Sequence, residues 1–316
     1  MNNGEGMRIR NYLKRRIKDL TLRIITRKRL RRHFHISNMQ AQSIGSGIEK
    51  KYTVCVNGKK ALLKIINDNR FERFEPAYKV FQEGKALPAP FVNPLFFEKY
   101  QHYAICLMPW IEGQTLNEVL RLNKVGPDFA EKIVQQISGF HKTVVDLRFF
   151  RPVEAYLLEG WHWFEDSGID CFGYAPGILS CFKQLFPLTS ERPMALLHCD
   201  LNFENIIIDS KENIFLIDYA TLMKGDPLYD WSLFLDESLT KSSVSFRINM
   251  VEQLEKKFIN TPVWEIMALY RAVRWMHYVG KIKAIPKGLE NPALWESMYE
   301  SLKNPMHFRD KLLGHC

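Results

Sequence analysis

The stretch 195–218 constrains the fold of this chain more than any other part of its sequence. Two short apolar runs within it, 206–208 and 214–217, flank a polar turn of five residues, and this pattern predicts a β-hairpin. A hairpin brings its two open ends together. Asn205 enters the first predicted strand and Asp218 leaves the second, so we expect these two side chains to lie side by side.

Three polar residues around this hairpin have the chemistry that phosphoryl transfer needs. The amide oxygen of Asn205 and the carboxylate of Asp218 are ligands that suit Mg²⁺. Asp200, on the loop just before the hairpin, is free to accept a proton or to orient a hydroxyl. Phosphoryl transfer requires a metal that neutralises phosphate charge and a base that aligns the attacking oxygen. The alternative is that these residues only form turns and caps, which Asp and Asn favour.

Residues from about 39 to about 110 predict a strand-rich lobe with one helix. Asn57-Gly58 lies between two β-prone runs, 52–56 and 60–66, and Asn-Gly at such a place indicates a hairpin because both residues tolerate positive φ. A helix is predicted around 71–84 and a further strand at 103–108. Most of the remaining chain reads as helix, with helices predicted at 116–122, at 128–145 and after Asp226.

Lys64 gives this lobe a cation that suits nucleotide phosphates. It lies on the second strand of the Asn57-Gly58 hairpin, and phosphoryl transfer needs a positive group on those phosphates. Glu75, on the helix that follows, could hold Lys64 by an ion pair. The alternative is that Glu75 is a surface glutamate, which is the commoner situation for this residue type.

The net charge of +9 is concentrated in one segment. Residues 7–36 hold twelve Lys or Arg residues and a single acid, so the rest of the chain is close to neutral. A protein that binds the phosphate backbone of a nucleic acid is expected to carry positive charge across its folded surface. The distribution therefore excludes nucleic acid as a partner.

The basic segment reads as an amphipathic helix. Its apolar residues recur every three or four positions, which places them on one face: Ile9, Leu13, Ile17, Leu20 and Ile24. Such a helix fits the interface of an anionic membrane. The alternatives are a helix docked on its own lobe or a solvated basic arm.

The sequence predicts an intracellular, cytoplasmic protein. No run approaches the roughly 20 apolar residues of a membrane-spanning helix, and the N-terminus lacks the features of a secretory signal. The six cysteines are scattered and form no C-x-x-C pair, which argues against a disulfide scaffold or structural zinc. If residues 7–36 bind a membrane, the location is peripheral, at its inner surface.

A family resemblance rests on the loops around the hairpin. His198-x-Asp200-x-x-x-x-Asn205 followed by Ile217-Asp218 resembles the catalytic and metal loops of the aminoglycoside phosphotransferase and choline kinase group of protein-kinase-like enzymes. Further matching features are Trp110-Ile111-Glu112-Gly113-Gln114-Thr115-Leu116, Phe140-His141 and Gly225-Asp226-Pro227-x-x-Asp230.

The resemblance implies an α+β fold of the two-lobed protein-kinase-like type. After the basic helical extension at 1–36, it implies a small β-rich nucleotide-binding lobe at 37–110 and a larger, mainly helical lobe at 111–316 that binds the acceptor. The activity implied is transfer of the γ-phosphate of ATP (or GTP), with Mg²⁺, to a hydroxyl of a small molecule such as an aminoglycoside, a sugar or an amino alcohol. The alternative is a non-catalytic kinase-like protein with a binding or surface-associated structural role.

The resemblance also assigns roles to single residues. Asp200 is implied as the catalytic base, and Asn205 and Asp218 as the Mg²⁺ ligands. The nucleotide-binding residues implied are Lys64 with its partner Glu75, Gly45 and Gly47 of a glycine loop, and Met108 and Trp110 of the segment that contacts adenine. Cys199 stands where the family usually has glycine, and a cysteine would be strained there if the position requires positive φ.

Overall fold

The computed structural model describes residues 24–41, 49–122, 126, 128–143, 146–190, 192–286 and 289–315. Within these ranges no helix is both long enough and apolar enough to span a membrane. The described chain divides into two compact units. The first contains the described residues up to Glu72 together with Asn93–Trp110, and the second contains Arg73–Val92 with the described residues from Ile111 onwards.

The first unit is built on an antiparallel sheet of five strands. The strands are β1 (Ile36–Ala41), β2 (Glu49–Val56), β3 (Lys59–Asn67), β4 (Phe96–Tyr100) and β5 (Tyr103–Pro109). Their order in the sheet is β1-β2-β3-β5-β4. Helix α1 (Asp68–Gln82) follows β3. The core below the sheet includes residues of β2, β3 and β5, since their apolar side chains alternate towards one face.

The predicted hairpin at Asn57-Gly58 is confirmed. Val56 pairs with Lys59 across a turn of two residues, and both turn residues have positive φ, 50° for Asn57 and 78° for Gly58. This is the backbone of a type I′ turn, whose twist matches that of the flanking strands.

Residues 24–36, the described part of the basic segment, belong to the first unit. Residues 24–30 are helical, and Leu30 is fully buried in the core cluster. The guanidinium of Arg29 lies 4.0 Å from the centre of the Tyr100 ring and 3.4 Å from the carboxylate of Glu98. The lobe is predicted to begin at residue 37, and in the structure this helical segment also packs into the first unit. The other residues of the predicted apolar stripe, Ile9, Leu13, Ile17 and Leu20, lie outside the described residues.

The second unit is mainly helical. Its helices are α2 (Leu116–Arg121), α3 (Phe129–His141), α4 (Val153–Ser167), α5 (Ala175–Leu185), α6 (Leu228–Lys241), α7 (Val244–Lys257), α8 (Val263–Ile282), α9 (Pro292–Lys303) and α10 (Pro305–Leu313). Two small sheets complete it, β6 (Gln114–Thr115) with β8 (Ile206–Ile208) and β9 (Ile214–Leu216), and β7 (Ala195–Leu197) with β10 (Met223–Gly225).

Residues 73–92 are held in the second unit by contacts with β9 and with the loop before β8. The backbone N–H of Val92 donates to the carbonyl of Leu216 at 3.0 Å, and the N–H of Leu216 donates to the carbonyl of Pro90 at 2.9 Å. The ring of Phe91 stacks on the ring of His198 with 5.6 Å between centres. The predicted lobe boundary at residue 110 places these residues in the first lobe, because their distant partners on β9 leave no local pattern in the sequence.

Helices α4 and α8 pack in close contact because of a glycine. A Cβ placed on Gly280 would lie 2.5 Å from the backbone nitrogen of Phe164, so only glycine fits at this crossing. The close approach fixes the position of α8, whose remaining faces carry residues of the candidate site.

Candidate active site

The carboxylate of Asp200 is held between two asparagine amides. The side-chain amide of Asn205 donates to one carboxylate oxygen at 2.9 Å and to the backbone carbonyl of Asp200 at 2.8 Å. The amide of Asn202 donates to the other carboxylate oxygen at 3.1 Å. These bonds fix the direction of the carboxylate without neutralising its charge, because both partners are uncharged.

Asn205 and Asp218 lie at the open end of the predicted hairpin, which the structure contains. The backbone N–H of Ile217 donates to the carbonyl of Asn205 at 3.0 Å, so the pairing of β8 with β9 continues to the residue before Asp218. The side chain of Asn205 is 9% exposed. Because its amide nitrogen faces Asp200, its side-chain oxygen is the atom left to bind a cation.

The donor set at this end of the hairpin fits Mg²⁺ rather than a metal held by protein alone. In the described chain no three His, Cys, Asp or Glu side chains form a group that could hold a metal. Mg²⁺ typically takes one or two protein oxygens and completes its shell with water and phosphate oxygens. Asn205 and Asp218 supply two oxygens of this kind, and their role as Mg²⁺ ligands stays a prediction.

A buried carboxylate holds the backbone of the loop before Asp200. Asp230, fully buried on α6, accepts the backbone N–H groups of His198 and Cys199, each at 2.8 Å. The ring of His141 on α3 lies 3.0 Å from the same carboxylate. Asp230 therefore positions the loop and does not face the cavity that Asp200 lines.

The ring of His198 has a structural role. Its Nε2 lies 2.9 Å from the carbonyl of Ile217, and its Nδ1 lies 3.3 Å from the backbone N–H of Asp200. A carbonyl requires a donor and an N–H requires an acceptor, so the ring carries its proton on Nε2. Both ring nitrogens are occupied, and His198 links the loop that carries Asp200 to Ile217, the residue that follows β9.

Cys199 adopts the conformation that usually requires glycine. Its φ is 58°, in the left-handed region, which is unfavourable for residues with a Cβ. Burial, together with the nearby carboxylates of Asp230 and Asp200, raises the pKa of the Cys199 thiol well above its ordinary value. The loop backbone therefore adopts the left-handed conformation with cysteine in place of the usual glycine, and the thiol stays protonated.

A cavity of about 870 Å³ opens beside Asp200 and Asn205. Its opposite wall comes from α6 and α8, with Asp236 and Glu237 on the first helix and Arg271, Arg274 and Trp275 on the second. Sequence reasoning missed these residues. The spacing of three and four positions between the α8 residues shows only that they share a helix face, and nothing local shows that this face turns towards Asp200.

The residues predicted to bind nucleotide in the first unit lie on two neighbouring strands. Lys64 is 7% exposed on β3 and is paired in register with Cys106 on β5, two residues before Met108. Trp110 follows β5, and the ammonium of Lys60 lies 3.5 Å from the centre of its ring. The nucleotide contacts of Lys64, Met108 and Trp110 stay predictions.

Three further predicted residues have different outcomes in the structure. Glu75 is in the second unit, where its carboxylate pairs with Lys79 one turn further along α1 at 3.2 Å. Both of these side chains are about half exposed, and the predicted pair of Glu75 with Lys64 stays a prediction. Gly45 and Gly47 lie outside the described residues.

A family model identifies the class of proteins to which this chain belongs. Residues 40–270 match the model of the phosphotransferase enzyme family, so the chain belongs to this family. The resemblance to aminoglycoside phosphotransferases and the predicted α+β, protein-kinase-like fold are therefore confirmed.

Two solved structures show the fold. The amicoumacin kinase hAmiN, in complex with AMP-PNP, Ca²⁺ and amicoumacin, superposes with a TM-score of 0.62 at 14% identity, covering 91% of this chain and 96% of that one. A thermostable mutant of the aminoglycoside phosphotransferase APH(4)-Ia, with ADP and hygromycin B, superposes with a TM-score of 0.59 at 13% identity, covering 85% and 94%.

A relative in Mycoplasma pneumoniae is similar in sequence. It bears the name uncharacterized protein MG356 homolog and is 22% identical over 202 residues, or 61% of this chain. The match spans 64% of the length of that protein.

Proposed function

We propose that this protein is an ATP-dependent phosphotransferase that transfers the γ-phosphate to a hydroxyl of a small molecule. The observation that carries the proposal is the oriented carboxylate of Asp200. It is fixed by two asparagine amides and lines a cavity of about 870 Å³. A cavity of this size accommodates a small molecule rather than a folded protein.

In the proposed reaction Asp200 accepts a hydrogen bond from the acceptor hydroxyl and aligns its oxygen with the γ-phosphorus. The hydroxyl proton passes to the carboxylate as the new O–P bond forms and the bond to the β-phosphate oxygen breaks, with ADP leaving. Asn205 and Asp218 would hold Mg²⁺, which supplies positive charge to the phosphates. Lys64, on the first unit, would contact the nucleotide phosphates. GTP is the alternative donor.

The acceptor class is proposed from the named ligands of the structural neighbours. Hygromycin B and amicoumacin are small molecules bound by those proteins. We extend to this chain only what they share, a hydroxylated small molecule; aminoglycosides, sugars and amino alcohols are the members to test first.

A peripheral contact with an anionic membrane is a separate proposal. Residues 24–36 are packed in the first unit, with Leu30 fully buried. A membrane contact would therefore rest on residues 7–23, and with it the proposed location, in the cytoplasm at the inner membrane surface. Loss of binding to anionic vesicles on deletion of residues 1–23, with no loss of folding, would support it.

The proposed activity is tested by measuring Mg²⁺-dependent ADP release across a panel of hydroxylated acceptors. Asp200→Asn should lower kcat by about 10²–10⁴-fold, the range of a general base, while nucleotide binding stays close to that of the wild type. Asp166→Asn makes the same chemical change on the exposed surface of α4 and should have no effect. Near-native turnover by Asp200→Asn contradicts the assignment of Asp200. Absence of turnover by the wild type with every acceptor favours the non-catalytic alternative.

A further inference from the structure

The cavity beside Asp200 is lined by charged residues of both signs. Five of its residues are basic, Lys241, Arg247, Arg271, Arg274 and Lys311, and four are acidic, Asp200, Glu204, Asp236 and Glu237. What such a cavity binds depends on which of these charges are already balanced by protein groups.

Two of the four acids, Asp236 and Glu237, are already paired with cations of the same cavity. The carboxylate of Asp236 accepts from Arg271 at 2.6 Å. The carboxylate of Glu237 pairs with Lys241 and also accepts the backbone N–H of Phe203. A cationic group of the acceptor would have to break these bonds to pair with Asp236 or Glu237, which is unfavourable for side chains that are only about 15% exposed.

Arg247 and Arg274 have no carboxylate partner among the residues that the structure describes. Arg247, 8% exposed, donates to the backbone carbonyls of Leu312 and Ser242, each at 2.8 Å. Arg274, partly exposed on α8, forms no hydrogen bond or ion pair with any residue that the structure describes. Its guanidinium is therefore available on the cavity wall.

Arg274 shares two electrostatic partners with the loop that carries Asp200. It opposes the rise that burial causes in the pKa of two phenols, Tyr156 on α4 and Tyr229 on α6. The same two phenols also interact electrostatically with Cys199, the residue before Asp200. Next to Arg274, Trp275 adds apolar surface to the cavity.

We propose that the acceptor carries an oxyanion, a carboxylate or a phosphate group, that binds to Arg274 while a hydroxyl of the same molecule faces Asp200. Guanidinium binds both kinds of oxyanion through two parallel N–H donors. The acceptor is thus an anionic alcohol and not a polycationic one. This inference rests on the proposed phosphotransfer, which it makes more specific.

The test uses four hexose probes that differ mainly in charge: glucose, glucosamine, glucuronate and glucose 6-phosphate. Calorimetric titration of the full-length protein should show at least tenfold tighter binding of the two anionic probes than of glucose or glucosamine. Comparing glucuronate with glucose 6-phosphate then distinguishes a carboxylate site from a phosphate site.

Arg274→Gln should abolish the preference for the anionic probes, and Arg274→Lys, which keeps the charge, should restore part of it. Arg148→Gln removes an exposed guanidinium that pairs only with Asp146, away from the cavity, and should leave the preference unchanged. Thermal denaturation of each variant shows whether it is folded. Equal binding of all four probes, tighter binding of glucosamine, or a preference that survives in folded Arg274→Gln would overturn the inference.

ADP release with the same probes separates this inference from the proposed function. If anionic probes bind through Arg274 but no probe stimulates ADP release, the anion site stands and the phosphotransfer is not supported. If glucose or glucosamine is phosphorylated with the lowest KM, the phosphotransfer stands and the anion site is wrong. When both hold, Arg274→Gln should raise KM for the anionic probe by at least tenfold with little change in kcat.

Discussion

Replacing Asp230 by asparagine should weaken the support of the loop that carries Asp200 while leaving Asp200 itself unchanged. The carboxylate accepts three hydrogen bonds in a fully buried place, from the backbone N–H groups of His198 and Cys199 and from the ring of His141. The two backbone bonds go to different carboxylate oxygens. An asparagine amide has only one oxygen, so at least one of these N–H groups would face an NH₂ group instead of an acceptor.

The size of the effect follows from the number of bonds lost. A hydrogen bond to a charged group contributes about 1.5–3 kcal/mol, and a buried donor left without a partner adds a desolvation cost. We therefore expect Asp230→Asn to lower the free energy of unfolding by about 2–4 kcal/mol. The loss of one bond sets the lower end of this range, and weakening of the remaining two sets the upper end.

Turnover should fall together with stability, because Cys199 lies next to Asp200, the proposed catalytic base. Its φ of 58° costs about 1–2 kcal/mol, and its bond to Asp230 helps to hold it there. When that bond is lost the loop can relax, and a displacement of about 1 Å at Asp200 would lower kcat by about 10²-fold. Adding Cys199→Gly to Asp230→Asn should restore part of kcat, since glycine adopts this φ without strain.

Urea unfolding followed by circular dichroism gives the change in stability, and ADP release gives kcat. Asp166→Asn, an exposed carboxylate on α4, is the matched control. An Asp230→Asn protein with the unfolding midpoint and kcat of the wild type would refute the reasoning. So would a second substitution, Cys199→Gly, that lowers kcat further.

Three more predictions concern the first unit, the loop thiol and a buried histidine. Leu30→Ala should lower the free energy of unfolding by about 3 kcal/mol, because it leaves a cavity in a closed core. Ile24→Ala, at a position that is 60% exposed, should change it by less than about 0.5 kcal/mol in the same urea titration. The Cys199 thiol, whose pKa is raised by burial and by Asp230, should resist alkylation by iodoacetamide in the native protein and react after unfolding, as read by mass spectrometry with Cys55 as the internal reference. Burial lowers the pKa of His277 from 6.5 to about 4, so between these two pH values the unfolded chain binds a proton that the native protein does not. Acidification through this window should therefore lower the free energy of unfolding by roughly 3 kcal/mol, and His277→Gln should lose that part of the pH dependence.

Each of these predictions has a contrary outcome. Equal destabilisation by Leu30→Ala and Ile24→Ala would mean that the helical segment is not packed as described. Rapid alkylation of native Cys199 would show an accessible thiolate. An identical pH profile for wild type and His277→Gln would show that another group controls acid stability.

The sequence pattern was enough to predict the elements whose determining residues are close together in the sequence. The Asn57-Gly58 turn is set by two residues that tolerate positive φ. Asn205 and Asp218 come together because the strands between them pair across a short turn. In both places the residues that determine the structure are only a few positions apart, so the sequence pattern carries the information.

Features that depend on distant partners could not be predicted. Leu30 reads as one apolar residue of a basic helix, and only the folded sheet shows that it is buried. Arg274 reads as part of an ordinary helix face, and only the packing of α8 shows that it lines the same cavity as Asp200.

The division of the chain between the two units has a consequence for its synthesis. Val92 and Phe91 belong to the second unit, but their partners Leu216 and His198 leave the ribosome more than a hundred residues later. At roughly 5–20 residues per second, the nascent chain carries the side chains of Phe91 and Phe74, both buried in the finished protein, without their final cover for several seconds. We therefore expect a ribosome-associated chaperone to bind the nascent chain at this segment. A pause in translation before residue 216 would prolong the exposure of these side chains and so favour aggregation.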